Sequence, residues 1–190
     1  PMRVERFPAQ EVYDRAATEV AAHLNQGRDV AVLCEGDPFF YGSFMYLFER
    51  LAGRYPAEIV PGVSSIMAAA CAAQRPLSAR NDVMTVIPGP LPDDEILARL
   101  ADSQSTVIMK VGRHFARIKA LIEKAGLMPN SIYAERVSLP DERVMPLNDT
   151  TEDTAPYFSM ILIYSGSESW ATIRKIHNER GETHPTGDAT

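Results

Sequence analysis

"DVAVLCEGDPFFYGSFMYLFERL", residues 29–51, changes character twice, and the order of those changes points to the fold. "DVAVLC" is a short, apolar, valine-rich run of the kind found in a strand covered on both faces of a parallel sheet. A corner follows at Gly36-Asp37-Pro38. "SFMYLFERLAGRY" then has helical length and phase, with Phe44, Leu47, Phe48 and Leu51 on one face. Strand, tight corner and helix in that order are the first half of a βαβ unit.

The flanking segments extend the pattern. "EVYDRAATEVAAHLNQ", residues 11–26, sets Val12, Ala16, Val20 and Leu24 on one stripe, and Gly27 stands where a helix stops. "AEIVPG" reads as a second strand and "SSIMAAACAAQ" as a helix of small residues. Such an alternation favours a parallel sheet with right-handed crossovers. Ligands of such sheets bind beyond the carboxyl ends of the strands, where the corners at 36–38 and 61–65 fall.

From "RPLSARND" the pattern restarts. "VMTVIPG" reads as a strand, "PDDEILARLADS" as a helix opened by acids, "TVIMKVG" as a strand, and "HFARIKALIEKAG" as a helix with Phe115, Ile118 and Ile122 in phase. Two further strands, "SIYAERVS" and "YFSMILIYSG", flank the turn-rich "LPDERVMPLNDTTEDTAP", where a hairpin or exposed loop is expected. The predicted organisation is an N-terminal α/β domain over 1–78 with a parallel sheet, a C-terminal α/β domain over 79–166, and a polar tail over 167–190 with a disordered end.

Composition narrows the function. The formal charge is −6 over 190 residues, which argues against nucleic acid or an anionic membrane as the main partner. No run of about 18 uncharged apolar residues occurs, and "PMRVERFPAQ" lacks the apolar core of a secretory signal, so the expected location is the cytoplasm. Cys34 and Cys71 have neither zinc nor redox spacing and are expected as buried free thiols. His23, His114, His177 and His184 form no ligand pattern, and no metal is expected.

The two corners carry the chemistry. Gly36 can adopt positive φ and lets a ligand approach the main chain without a Cβ in the way, while Pro38 stiffens the exit. Asp37 can accept from a hydroxyl or an ammonium, or simply cap the next helix. Ser64 and Ser65 lie where a helix begins, offering hydroxyls and amides to a ligand or serving as an ordinary N-cap. One ligand could span both corners. Neither GxxxxGK[ST] nor GxGxxG occurs, so triphosphate or dinucleotide binding lacks its usual mechanism.

"EGDPFFYGS", "VPGVSSIMAAA", "IMKVGR" and "ERVSLPDERV", in this order, resemble the tetrapyrrole methylase family, the S-adenosylmethionine-dependent enzymes of cobalamin and sirohaem synthesis. The aromatic-rich first motif with the second most resembles the branch that methylates C20 of precorrin-2. The resemblance covers roughly residues 28–164 and implies the tetrapyrrole methylase fold: two α/β domains, the active site in the cleft between them, and a homodimer. It places Gly36, Asp37, Ser64, Ser65, Val111, Val137 and Ser138 at the cofactor, with S-adenosylhomocysteine as product. Family members open on a strand and a GxGPGDP loop that this sequence does not contain, so the first domain is expected to be N-terminally incomplete, lacking a central strand.

A sulfonium methyl is already an activated electrophile, so the protein's task is to align donor and acceptor and exclude water, worth up to roughly 7–11 kcal/mol. Glu35, Asp37, Tyr41 and Glu135 are candidate bases for the proton lost from the substrate carbon. The tetrapyrrole carries many carboxylates, for which Arg80, Arg113, Arg117, Arg136 and Arg143 are candidate partners, with Arg113 and Arg136 foremost. Phe39, Phe40 and Tyr41 stack on the macrocycle or fill the core. Alternatives are C20 methylation of cobalt-factor II, methylation of another carbon, or a non-catalytic binding remnant.

Overall fold

The computed structural model describes residues 10–170. The chain divides into two compact units between Ser65 and Ile66. The expected N-terminal decapeptide, apart from Gln10, and the tail beyond residue 170, with His177 and His184, lie outside the described residues.

The first unit is built on two helices, α1 (Gln10–Leu24) and α2 (Phe44–Leu51). Gly27, at φ +73°, follows the end of α1. The buried positions of α1 are Ala17 and Ala21, while Val12 of the predicted stripe is 50% exposed. Tyr13 explains the shift: its ring packs on Tyr46 at 5.2 Å and turns the Tyr13, Ala17, Ala21 face inward. Arg50 of α2 ties the pair, donating to Asp14 at 2.6 Å and to Gln10 at 2.5 Å.

The strands predicted at "DVAVLC" and "AEIVPG" are not formed: residues 28–34 and 56–64 carry neither helix nor ladder. An apolar run becomes a strand only when a neighbouring segment takes up its N–H and C=O groups, and no described segment does so. Leu33 is accordingly 95% exposed. Cys34, at the end of that run, is an exposed free thiol and not a buried one. Cys71 is free and exposed as well, because it shares with Met67 the outward face of α3 (Ser65–Ala72).

The second unit is a five-stranded sheet with helices on both faces. Its strands are β1 (Met84–Pro88), β2 (Ser105–Met109), β3 (Ser131–Glu135), β4 (Arg143–Pro146) and β5 (Ser159–Tyr164), in the order β1-β2-β5-β3-β4. β1 and β2 pair in parallel across α4 (Asp93–Ala101), and the remaining pairs are antiparallel. Asp93, Asp94 and Glu95 fill the first turn of α4, as the helix dipole favours. α5 (Phe115–Lys124) follows β2.

Alternation along the strands feeds two cores. Ile161 and Ile163 of β5 pack with Ile96 and Leu100 of α4 and with Phe115, Ile118 and Ile122 of α5. Met160 and Leu162 point to the other face, with Ile66 and Ala69 of α3. The predicted boundary at 78/79 therefore falls later than the structural one, because α3 belongs to this sheet. Where the sequence leaves a hairpin or an exposed loop open, β3 and β4 form a hairpin, closed by the pair Glu135 and Arg143.

Candidate functional site

In the first unit the two corners read from the sequence are locked together. Asp37 accepts the Phe39 N–H on Oδ1 at 2.9 Å and the Gly62 N–H on Oδ2 at 3.1 Å. A Cβ on Gly62 would overlap the Gly36 carbonyl oxygen and lie 2.9 Å from its carbon, so this contact admits only glycine. Gly36 differs: a Cβ there would meet Val63 O at 3.5 Å, an ordinary contact, and its φ of +76° is what calls for glycine.

The surroundings of the corner sort the predicted residues. Phe39 packs on Phe48 at 5.0 Å and Phe44 at 5.9 Å, so it belongs with α2. Phe40 and Tyr41 instead form an exposed edge-to-face pair, centroids 5.1 Å apart, with Tyr41 in the left-handed region at φ +54°. Glu35 is exposed, Ser64 half-buried, and Ser65 opens α3.

In the second unit the topology gathers the remaining candidates at one sheet edge. β1, β2 and β3 run in the same direction, so Pro88, Met109 and Glu135 end on a common edge, and β5 enters there at Ser159 between β2 and β3. The backbone just beyond is strained: Lys110, Arg136 and Ser138 are non-glycine residues at φ +56°, +50° and +68°. Each such residue costs roughly 1–2 kcal/mol, and strain of this kind gathers where a site fixes the chain.

The arginines divide by what they already hold. Arg117 pins the turn after β1, donating to Gly89 O at 2.5 Å, to Leu91 O at 3.2 Å and to the Asp93 carboxylate. Arg80 pairs with Glu168 at 3.1 Å. Arg143 bridges Glu135 at 3.1 Å and Glu152 at 2.9 Å, and Arg136 pairs with Asp141 at 3.1 Å. Arg113 is exposed, and its Nε donates to His114 Nε2 at 3.5 Å. Partial burial, with Arg117 and Arg113 nearby, holds the His114 imidazole below its ordinary pKa.

Glu135 is 3% exposed. Its Oε2 accepts the Tyr133 O–H at 2.5 Å, and its Oε1 accepts from Arg143. Burial and the adjacent Glu135 carboxylate push the Tyr133 phenol well above its ordinary pKa. Val111 is wholly buried, with its carbonyl accepting the His114 N–H at 2.7 Å, so its side chain belongs to the core. Val137 is half-buried and Ser138 exposed, with the Ser138 N–H donated to Glu142 at 2.7 Å.

One feature of this edge escaped the pattern of the sequence. Tyr157, 81% exposed, and Phe158, 55% exposed, stand edge-to-face at 5.1 Å just before β5, between the ends of β2 and β3. Phe158 O accepts the Arg136 N–H at 2.8 Å, and the preceding loop returns to Gly112 through Ala155 N–H at 3.1 Å. Aromatic residues at the head of an apolar run read as strand, which hid them. Among the described residues no group of three or more His, Cys, Asp or Glu side chains is placed to hold a metal, and no helix is long and apolar enough to cross a membrane.

A family model for tetrapyrrole (corrin/porphyrin) methylases matches residues 1–151. The chain is 42% identical over 153 residues to a precorrin-2 C(20)-methyltransferase of a Sinorhizobium species, covering 80% of this chain and 62% of that protein. It is also 42% identical over 157 residues to the cobalamin biosynthesis protein CobIJ of Mycobacterium tuberculosis, covering 83% of this chain and 31% of that one. The chain thus spans less than two thirds of the length of either relative. The uroporphyrin-III C-methyltransferase structure from Thermus thermophilus, solved with S-adenyl homocysteine, superposes with a TM-score of 0.58 at 24% identity, covering 78% of this chain and 72% of that one.

Proposed function

Since the chain belongs to the tetrapyrrole (corrin/porphyrin) methylase family, we propose that it transfers the methyl group of S-adenosylmethionine to C20 of precorrin-2, giving precorrin-3A in corrin biosynthesis. The observation that carries this reading is the 42% identity to the Sinorhizobium precorrin-2 C(20)-methyltransferase. The Thermus structure, of the same fold and solved with S-adenyl homocysteine, supports the choice of cofactor. In the same reading the protein works as a cytoplasmic homodimer on a small tetrapyrrole, not on nucleic acid or a membrane.

The residues present fit such a cofactor. At the Asp37–Gly62 lock Gly36 carries no side chain and a Cβ there would stand in ordinary contact with Val63 O at 3.5 Å, so a ligand can approach the main chain at position 36, whereas the open side of Gly62 is filled by the Gly36 carbonyl. The proposed contacts are Gly36, Asp37, Ser64 and Ser65, and, each in its own right, Val137 and Ser138; Val111, expected among them, is buried in the core with its carbonyl bound to the His114 N–H. S-adenosylmethionine supplies a methyl on a sulfonium that needs no further activation. The chain's own task is to bind, orient and exclude water.

For the substrate, Arg113 is the one of the five candidate arginines that pairs with no carboxylate among the described residues, and it would take an acidic side group of the macrocycle. Arg136 adds positive potential largely offset by Asp141. Phe40 and Tyr41 offer an exposed aromatic surface to the ring system. Of the four candidates for accepting the C20 proton, Glu35 and Tyr41 are exposed, Asp37 is half-buried and accepts two backbone N–H groups, and Glu135 is buried. The test is incubation with S-adenosylmethionine and precorrin-2, followed by mass spectrometry and NMR. A product one methyl heavier at C20 supports the reading, and an unaltered macrocycle with a cofactor-bound protein overturns it.

A further inference from the structure

We propose that Glu135 is a positioning residue: it tethers both arms of the β3–β4 hairpin loop, and so holds Val137 and Ser138 in a cofactor-binding shape, instead of taking the substrate's proton. The inference rests on the methyltransfer reading above. Three observations carry it.

First, the loop is strained where it leaves β3. Residues 136–142 contain no glycine or asparagine, although tight hairpin connections usually place these where φ is positive. Arg136 and Ser138 occupy such positions instead. Bonds within the loop, among them Leu139 N–H to Arg136 O at 2.9 Å and Glu142 N–H to Leu139 O at 3.1 Å, fix its interior, and its base is left to be held from the strands.

Second, the outside hold converges on Glu135. The carboxylate stands opposite Arg143 at the base of the hairpin and binds it at 3.1 Å, while the Arg136 guanidinium at the other arm lies 3.8 Å from the same oxygen. The remaining oxygen accepts the Tyr133 O–H. Further ties complete the loop: Arg136 to Asp141, Ser138 N–H to Glu142, and Arg136 N–H to Phe158 O.

Third, a base needs an oxygen within reach of the substrate. Glu135 is 3% exposed and both of its oxygens are engaged, whereas Arg136 and Arg143 are partly exposed. A buried carboxylate so fully paired is held in place by its partners and holds them in turn.

The experiment compares Glu135→Gln, Glu135→Ala and Arg143→Gln with the parent, by calorimetric titration with S-adenosylhomocysteine and by steady-state kinetics. Arg143 is more exposed than Glu135, so its variant keeps the test alive if the Glu135 variants fail to fold. We expect Glu135→Gln and Arg143→Gln to raise the Kd and the KM for S-adenosylmethionine together by roughly tenfold, the size of one lost charge-assisted hydrogen bond. The kcat at saturation should fall less than about threefold, and Glu135→Ala should be worse than Glu135→Gln in Kd.

A kcat loss of roughly 10²–10⁴ with unchanged Kd is the signature of a base and would overturn the proposal. So would a lower melting temperature with unchanged Kd and KM, the signature of a purely structural pair. If the parent itself does not bind, the cofactor reading fails and this inference with it; if the parent binds and the variants match it, only the inference fails.

Discussion

The Asp37 carboxylate accepts the Gly62 N–H at 3.1 Å, joining two corners that lie 25 residues apart in the chain. The same side chain closes its own turn through the Phe39 N–H, so one carboxylate sets both the shape of the first corner and its distance from the second. Glycine at position 62 follows from this arrangement, because the Gly36 carbonyl takes the space of a Cβ there.

Replacing Asp37 by alanine removes both bonds. Hydrogen bonds to a charged group contribute roughly 1.5–3 kcal/mol each, with exposed examples at the low end. Asp37→Ala should therefore weaken S-adenosylhomocysteine binding about tenfold or more while the helix signal in circular dichroism is retained. Parent-like affinity in a titration would remove Asp37 from the site.

The two glycines should respond differently. At Gly36 an added methyl has room, and only the left-handed backbone opposes it, at a cost of roughly 1–2 kcal/mol. At Gly62 the methyl overlaps the Gly36 carbonyl, which cannot move aside without opening the lock. Gly36→Ala should keep measurable binding, Gly36→Val should lose more, and Gly62→Ala should abolish it. Calorimetry on the three variants gives the order directly.

Arg113 and Arg117 separate recognition from scaffolding. Arg113→Ala should raise the KM for the tetrapyrrole by up to about fivefold, as for an exposed ion pair to a bound ligand, and leave the affinity for S-adenosylhomocysteine unchanged. Arg117→Ala breaks contacts to Gly89, Leu91 and Asp93 and should lower stability by roughly 1–3 kcal/mol in urea unfolding. Equal effects of the two on both measurements would show that the division is wrong.

The Arg143 to Glu152 pair gives stability a pH dependence of known sign. The hydrogen bond from Arg143 holds the Glu152 carboxyl below its ordinary pKa in the folded chain. The unfolded chain then takes up the proton first, so the contribution is present above the ordinary glutamate value of about 4.3 and is lost as pH falls below it through the folded value. Urea midpoints across this range should fall less steeply for Arg143→Ala than for the parent. Parallel curves would mean that the pair adds nothing to acid stability.

What could be read from the sequence follows from where the determinants lie. Helices such as α2 and α5 declare themselves through Leu47 or Ile118 and Ile122, because periodicity is local. The corners at 36–38 and 61–65 were visible as glycine, proline and serine, although their lock through Asp37 was not. Residues 28–34 had the composition of a strand, but a strand also needs a neighbour, which composition does not report. Arg117 reads as available for substrate, whereas in the fold it is bound to Asp93, 24 positions earlier. Tyr157 and Phe158 became conspicuous only when the strand order set them between the ends of β2 and β3.

Calorimetric titration of the intact chain with S-adenosylhomocysteine, followed by the same titration of Gly62→Ala, tests the cofactor assignment at its root. The prediction is one molecule bound per chain by the parent and none by the variant, with both folded. A folded parent that binds nothing, or a variant that binds as the parent does, would contradict the assignment of this site to S-adenosylmethionine.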